Sequence, residues 1–124
     1  MLYHLGLGGG MMRGTRIFQE AASIGVSDLM EKCEIASGVF MSLGYGMLEL
    51  LELREEPPYI HLRIHRSIEC ELGRSAGRPF SQFIRGIIAG FATICFKREM
   101  IAEESRCIAM GDPCCEFKIK PREA

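Results

Sequence analysis

No stretch of this chain is apolar for long enough to cross a membrane. The longest nearly uninterrupted apolar run, Gly86 to Phe96, is eleven residues, whereas a spanning helix needs about 20. The opening segment MLYHLGLGGGMMRG lacks the basic head, apolar run and small-residue cleavage site of a secretory signal, so a cytoplasmic location is expected. Charge of either sign is not in surplus: 15 Lys and Arg stand against 16 Asp and Glu. That balance gives no net attraction toward nucleic acid, and no direct nucleic-acid partner is expected. The short signatures of catalysis are missing too, with no nucleophile elbow, no HExxH pair and no Cys-x-x-Cys. Gly6-x-Gly8-x-Gly10 is not a phosphate-cradling loop, since no strand precedes it. The chain is therefore read as non-enzymatic.

What is present is the material of one packed domain, residues 1–124. A chain of 124 residues that is 48% hydrophobic and free of low-complexity tracts can bury a core without metal or disulfides. The six cysteines, in a reducing compartment, are apolar residues, metal ligands or redox groups rather than a disulfide framework.

The last third organises the rest. Phe80, Phe83, Ile84, Ile87, Ile88, Phe91, Ile94 and Cys95 recur at three-and-four spacing, which predicts a helix with one buried face, free to start at Pro79. Gly86 and Gly90, with Ala89, leave a shallow strip where a neighbour can approach closely. The N-terminal stretch Leu2 to Ala22 carries apolar residues interrupted by Gly6, Gly8, Gly9 and Gly10. Each costs a helix about 1 kcal/mol, so this helix needs close packing against a neighbour.

Ser27 or Asp28 is placed to cap a second helix that runs to about Leu43 and ends at Gly44. Cys33 lies on its apolar face as a small buried hydrophobe. Tyr45 to Arg54 and Tyr59 to Ile68 flank Glu55-Glu56-Pro57-Pro58 and read as an antiparallel hairpin. Ile60, Leu62 and Ile64 would face one side, and His61, Arg63 and His65 the other. His61 and His65 are about 13 Å apart on a regular strand, too far to share a metal.

Glu69 to Arg78 has turn composition and carries Cys70. Two more strands, about Glu99 to Arg106 and Cys115 to Lys120, are joined through Gly111-Asp112-Pro113. The order helix-helix-strand-strand-helix-strand-strand predicts an α+β fold: a four-stranded antiparallel sheet packed with helices.

Chemistry concentrates in Glu104, Cys107, Cys114 and Cys115. Thiolates with a carboxylate suit tetrahedral zinc, and buried cysteines beside a hairpin explain the spacing equally well. Joint ligation by Glu104 and Cys107, three apart on a strand, requires the strand to bend or end between them. Of the adjacent Cys114 and Cys115, one is expected in the core.

Gly86-Ile-Ile-Ala-Gly90, Glu104-x-x-Cys107 and Gly111-Asp112-x-x-Cys115-x-Phe117 make the chain resemble the 4-vinyl reductase domain family. Tyr45-Gly46-Met47-Leu48-Glu49 and Leu2-Tyr3-x-x-Gly6 look like its earlier landmarks. The resemblance implies a fold shared with Golgi transport-tethering subunits, an apolar cavity between layers, and commonly a homodimer. It also implies structural zinc on Glu104, Cys107 and Cys115. The family's fourth ligand, a cysteine, falls at Ser81 here, so Cys70 is assigned as the replacement, with Cys114 as a second candidate.

The expected function is a sensor or carrier domain for an apolar, aromatic or lipid-like small molecule, acting through dimerisation or a separate output protein. Its pocket is assigned to Phe40, Met41, Tyr45, Phe83, Ile87 and Phe91. The eight Met residues supply side chains that adapt to varied shapes. Two alternatives are a tetrapyrrole reductase-associated role, suggested by the family name, and a protein-assembly module.

Overall fold

A computed structural model describes residues 2–25, 28–72 and 82–122. Four strands, β1 (Met47–Arg54), β2 (Tyr59–His65), β3 (Met100–Arg106) and β4 (Cys115–Pro121), form one antiparallel sheet in the order β1-β2-β4-β3. The helices are α1 (Leu2–Ser23), α2 (Leu29–Ser42), a one-turn α3 (Ile68–Leu72) and α4 (Gln82–Phe96). The α+β architecture is as the sequence predicts, with α3 added. The Glu69 to Arg78 stretch, read as turn, begins inside that helix; residues 73–81, with the predicted helix start at Pro79 and with Ser81, lie outside the described residues, as does Ser27.

The expected alternation holds in β2, where Ile60, Leu62 and Ile64 are buried. They pack with Phe117 and Ile119 of β4 and with Ile84, Ile87 and Ile88 of α4 into one core. Against this core α1 and α4 cross at glycines. A Cβ on Gly86 would lie 2.7 Å from the Leu7 backbone nitrogen, and one on Gly90 2.7 Å from that of Met11. Gly6 and Gly10 meet the Phe83 and Ile87 backbones in the same way. The glycines that weaken α1 as an isolated helix thus let it settle on α4. Arg85 fastens the crossing, with its guanidinium 4.1 Å from the Tyr3 ring centroid and donating to the Ala102 carbonyl of β3 at 3.1 Å.

The start of α2 is capped as expected: the Asp28 carboxylate accepts from the Glu31 amide at 3.3 Å. At its other end Gly44 takes φ of +84°, a left-handed conformation that suits glycine. Phe40 is the fully buried side chain of α2, while Met30 and Met41 remain exposed. This helix is therefore the lightly held wall of the molecule.

Candidate metal centre and apolar cavity

The end of β3 is irregular, as joint use of Glu104 and Cys107 requires. Its register with β4 shifts between Glu104 and Arg106, and the strand ends before Cys107. A 3-10 turn, Ile108–Met110, follows, and Gly111 at φ +97° returns the chain toward β4. Asp112 holds this loop by accepting from the Cys107 amide at 2.9 Å. Cys115 opens β4 with its side chain buried, while α3 brings in Cys70 from the segment between β2 and α4.

The donor atoms of Cys70, Glu104, Cys107 and Cys115 all lie within 4.8 Å of one another. The three cysteines are buried and Glu104 is partly so. Cys70 Sγ is 3.5 Å from Cys107 Sγ and 3.1 Å from Cys115 Sγ. Zinc–sulfur bonds of about 2.3 Å at tetrahedral angles set sulfurs about 3.8 Å apart, so the thiols need to spread by less than about 1 Å. The Ile108 amide already donates to Cys115 Sγ at 3.4 Å, a contact that favours thiolate over thiol. Cys114, the second candidate for the fourth position, is buried but outside this set.

The neighbour of Cys70 has a separate task. The Glu69 carboxylate accepts from the amides of Phe83 and Ile84, both at 3.0 Å, satisfying two free donors at the start of α4. Burial pushes its carboxyl above the ordinary range, and the two amides pull against that shift. One turn of helix thus places a thiol in the cluster and a carboxylate under α4.

On the sheet face away from the helices, Glu116 is buried although it is charged. It accepts from Arg63 Nε at 2.8 Å and Ser105 Oγ at 3.2 Å, and His61 Nε2 lies 3.2 Å from Oε2. The Arg63 guanidinium, with His61 and Ser105 behind it and burial opposing, holds the carboxyl down to about 2. Sequence reading placed His61 and Arg63 on this face but gave Glu116 no role.

Between α2, α4 and the sheet is an apolar cavity of about 60 Å³. Cys33, Ala36, Ser37 and Phe40 of α2 form one side. Ile88, Phe91, Ala92 and Cys95 of α4 form the other, over a floor that includes Leu50, Leu62 and Ile119. Ser37 and the two thiols are its polar groups. Of the six pocket residues assigned from sequence, Phe40 and Phe91 line this cavity. Tyr45 stands beside Phe40 and Phe83 in a ring cluster, with centroids 5.4 and 6.1 Å away. Ile87 is buried beneath α1, and Met41 is exposed beside a separate pocket that it lines with Leu48 and Leu50. The missed lining residues are mostly small or on strands, where apolarity alone does not separate cavity wall from packed core.

A model of the 4-vinyl reductase domain matches residues 60–121, from β2 to the end of β4. The chain is 31% identical over 85 residues to the uncharacterized protein MJ1460 of Methanocaldococcus jannaschii, covering 66% of this chain and 51% of that protein. It is 29% identical over 70 residues to MJ1642 of the same organism, covering 56% and 43%. The chain thus spans about half the length of the curated relatives it matches.

Among solved structures, the phenol-responsive sensory domain of the transcription activator PoxR, with phenol, superposes at a TM-score of 0.86 and 16% identity. That match covers 97% of this chain and 62% of the other. A vinyl-4-reductase family protein of M. jannaschii gives 0.70 at 20% identity, covering 99% and 69%. Trafficking protein particle complex subunit 3 of Naegleria fowleri, covalently bound to palmitic acid, gives 0.64 at 15%, covering 98% and 78%. At these identities the likeness establishes the fold.

Proposed function

The chain belongs to the 4-vinyl reductase domain family, and from that premise we propose that it is a non-catalytic sensor or carrier domain for an apolar small molecule. The observation that carries this reading is the cavity, walled by apolar side chains of three helices and three strands with a single hydroxyl, Ser37. Its best occupant is aromatic or short aliphatic, with at most one polar group. The phenol held by the PoxR domain fits that description and is the natural probe. No helix among the described residues is long and apolar enough to cross a membrane.

An apolar cavity of about 150 Å³ accommodates benzene, so a volume near 60 Å³ requires a wall to yield. That wall is α2, with one fully buried side chain. Ligand entry displaces α2, and its new position is the signal read by a second copy or an output protein. Leu5 and Met12 of α1 and Met30 and Met41 of α2, all exposed, belong to the homodimer surface in this reading. Ala36→Leu narrows the cavity from a half-exposed helix position. It should lower phenol affinity by at least about tenfold, since one buried methylene is worth about 0.8 kcal/mol and the substitution adds three carbons where the ring must sit. Titration by ligand-observed NMR checks this, and equal affinity in parent and variant refutes the cavity.

The cysteine cluster has a structural role here. Cys70, Cys107, Cys115 and Glu104 would hold zinc with all four positions taken by protein, leaving no place for an activated water. An ion held there would cross-link α3, β3 and β4. Protein purified without added metal should carry about one zinc per chain, lost in both Cys70→Ser and Cys107→Ser. Zinc retained in Cys70→Ser removes Cys70 from the set.

A further inference from the structure

Three hollows meet at one corner of the fold. Phe18 and Cys95 line the apolar cavity and also a depression of about 250 Å³, whose lining includes Thr15 of α1 and Ile94 of α4. Cys95 also borders a polar cleft of about 420 Å³, beside Glu55, Glu56 and Arg98. Lys32 and Lys97 stand where depression and cleft adjoin, since both residues line each of them. An apolar group seated in the cavity therefore has a way out past Phe18 and Cys95, and that way leads to two lysines.

The cations at this mouth have no internal counter-charge. Among the described residues, ion pairs hold Arg63, Lys120 and Arg122, whereas none holds Lys32, Lys97 or Arg98. Lys32 is partly buried, and a charge drawn part-way out of water costs free energy unless it is paired. Lys97 is placed at a backbone cost as well. It takes φ of +54°, in the left-handed region that Gly44 and Gly111 occupy at other turns. Glycine would follow α4 with less strain, so the turn itself does not account for a lysine there.

We propose that the ligand of the cavity is an aromatic or short aliphatic monocarboxylate, its apolar part in the cavity and its carboxylate at the mouth on Lys32 and Lys97. The proposal rests on the cavity being a ligand site and adds the head group. Such a molecule gives the lysines the counter-charge they lack while its ring or chain leaves water, so neither end is left unsatisfied. Glu55 and Glu56 line the cleft but not the depression. Their charges weigh against a dianionic head such as a phosphate monoester and leave a single negative charge as the better match.

The test titrates the full chain at pH 7 with 3-phenylpropanoate and with its neutral counterpart 3-phenyl-1-propanol, by ligand-observed NMR. The carboxylate should bind about fivefold tighter, as two partly exposed ion pairs allow, and this preference should shrink as salt is raised. Lys32→Gln and Lys97→Gly should each reduce the preference and leave the affinity for the alcohol unchanged. Lys97→Gly also relieves the left-handed turn, so its urea midpoint should be no lower than the parent's, which separates lost binding from lost folding. Equal affinity for the two probes in the parent, or a preference that survives both substitutions, overturns the proposal. So does carboxylate binding that Ala36→Leu does not weaken, since the molecule would then lie in the cleft alone. If the alcohol binds and the carboxylate binds no better, the head group fails and the cavity reading stands; if neither probe binds and phenol does not, both fail.

Discussion

Replacing single glycines of α1 by alanine should change stability in opposite directions within one helical turn. Alanine is favoured over glycine in a helix by about 1 kcal/mol. At Gly8 a Cβ meets nothing within 4 Å, so Gly8→Ala should gain close to that amount. At Gly10 the new carbon would lie 3.0 Å from the Ile87 Cα and closer still to its carbonyl oxygen. Both obstacles are backbone, so no rotamer change relieves them, and the helices must separate. Overpacking of this kind costs about 1–3 kcal/mol, and parting the helices also loosens the Leu7 and Tyr3 contacts with the core. A net loss of about 2 kcal/mol is expected. The two variants should then differ by about 3 kcal/mol, more than a hundredfold in the folding equilibrium constant. Urea unfolding followed by circular dichroism reads this as midpoints displaced to opposite sides of the parent at similar slope. Gly10→Ala as stable as Gly8→Ala would mean that α1 does not cross α4 at these residues.

Two further substitutions test the polar anchors. Arg63→Met removes the strongest partner of the Glu116 carboxylate. Because that carboxyl is held down to about 2 in the fold, its contribution is present above the unfolded carboxyl value of about 4.3 and is lost as pH falls through the folded one. Arg63→Met should therefore lower the urea midpoint at pH 7, with parent and variant converging as Glu116 protonates; equal midpoints at pH 7 would show that the pair stabilises nothing. Glu69→Gln keeps the shape but offers one acceptor oxygen where two amides, of Phe83 and Ile84, are served. A loss of about 1 kcal/mol is expected from the weakened start of α4, and an unchanged urea midpoint would refute that capping role.

Much of the fold is legible in local pattern. The three-and-four spacing of α4, the alternation in β2 and the proline pair of the hairpin each act within a few residues. Even the irregularity between Glu104 and Arg106 is what joint ligation by Glu104 and Cys107, three apart on a strand, would require. What escapes is set by contacts distant in sequence. Glycine and serine in ECELGRSAGR favour turn, yet Ile68–Leu72 forms a helical turn, held where Glu69 meets α4. Glycines announced a close approach, but only the packed structure pairs Gly6 and Gly10 of α1 with α4. Cys33 read as a small hydrophobe and Cys95 as part of an apolar face, both reasonable locally. Their meeting depends on how α2 lies across α4, which no local rule encodes.

The two candidate sites differ in how their walls are held. Cys70, Cys107 and Cys115 sit on α3, at the end of β3 and at the start of β4, and the neighbouring Glu69 seats α4. An ion in that cluster would tie three elements and brace, through Glu69, the helix that forms half the cavity wall. The opposite wall, α2, has a single fully buried side chain and no part in the cluster. On the proposed reading, a ligand that must enlarge a cavity of about 60 Å³ would do so by moving α2, while the sheet and α4 hold their places. Metal removal should accordingly lower unfolding stability far more than phenol affinity, and substitutions on α2 such as Ala36→Leu should do the reverse. Equal effects of both perturbations on both measurements would mean that the domain responds as a single body, leaving α2 no independent role as the moving wall.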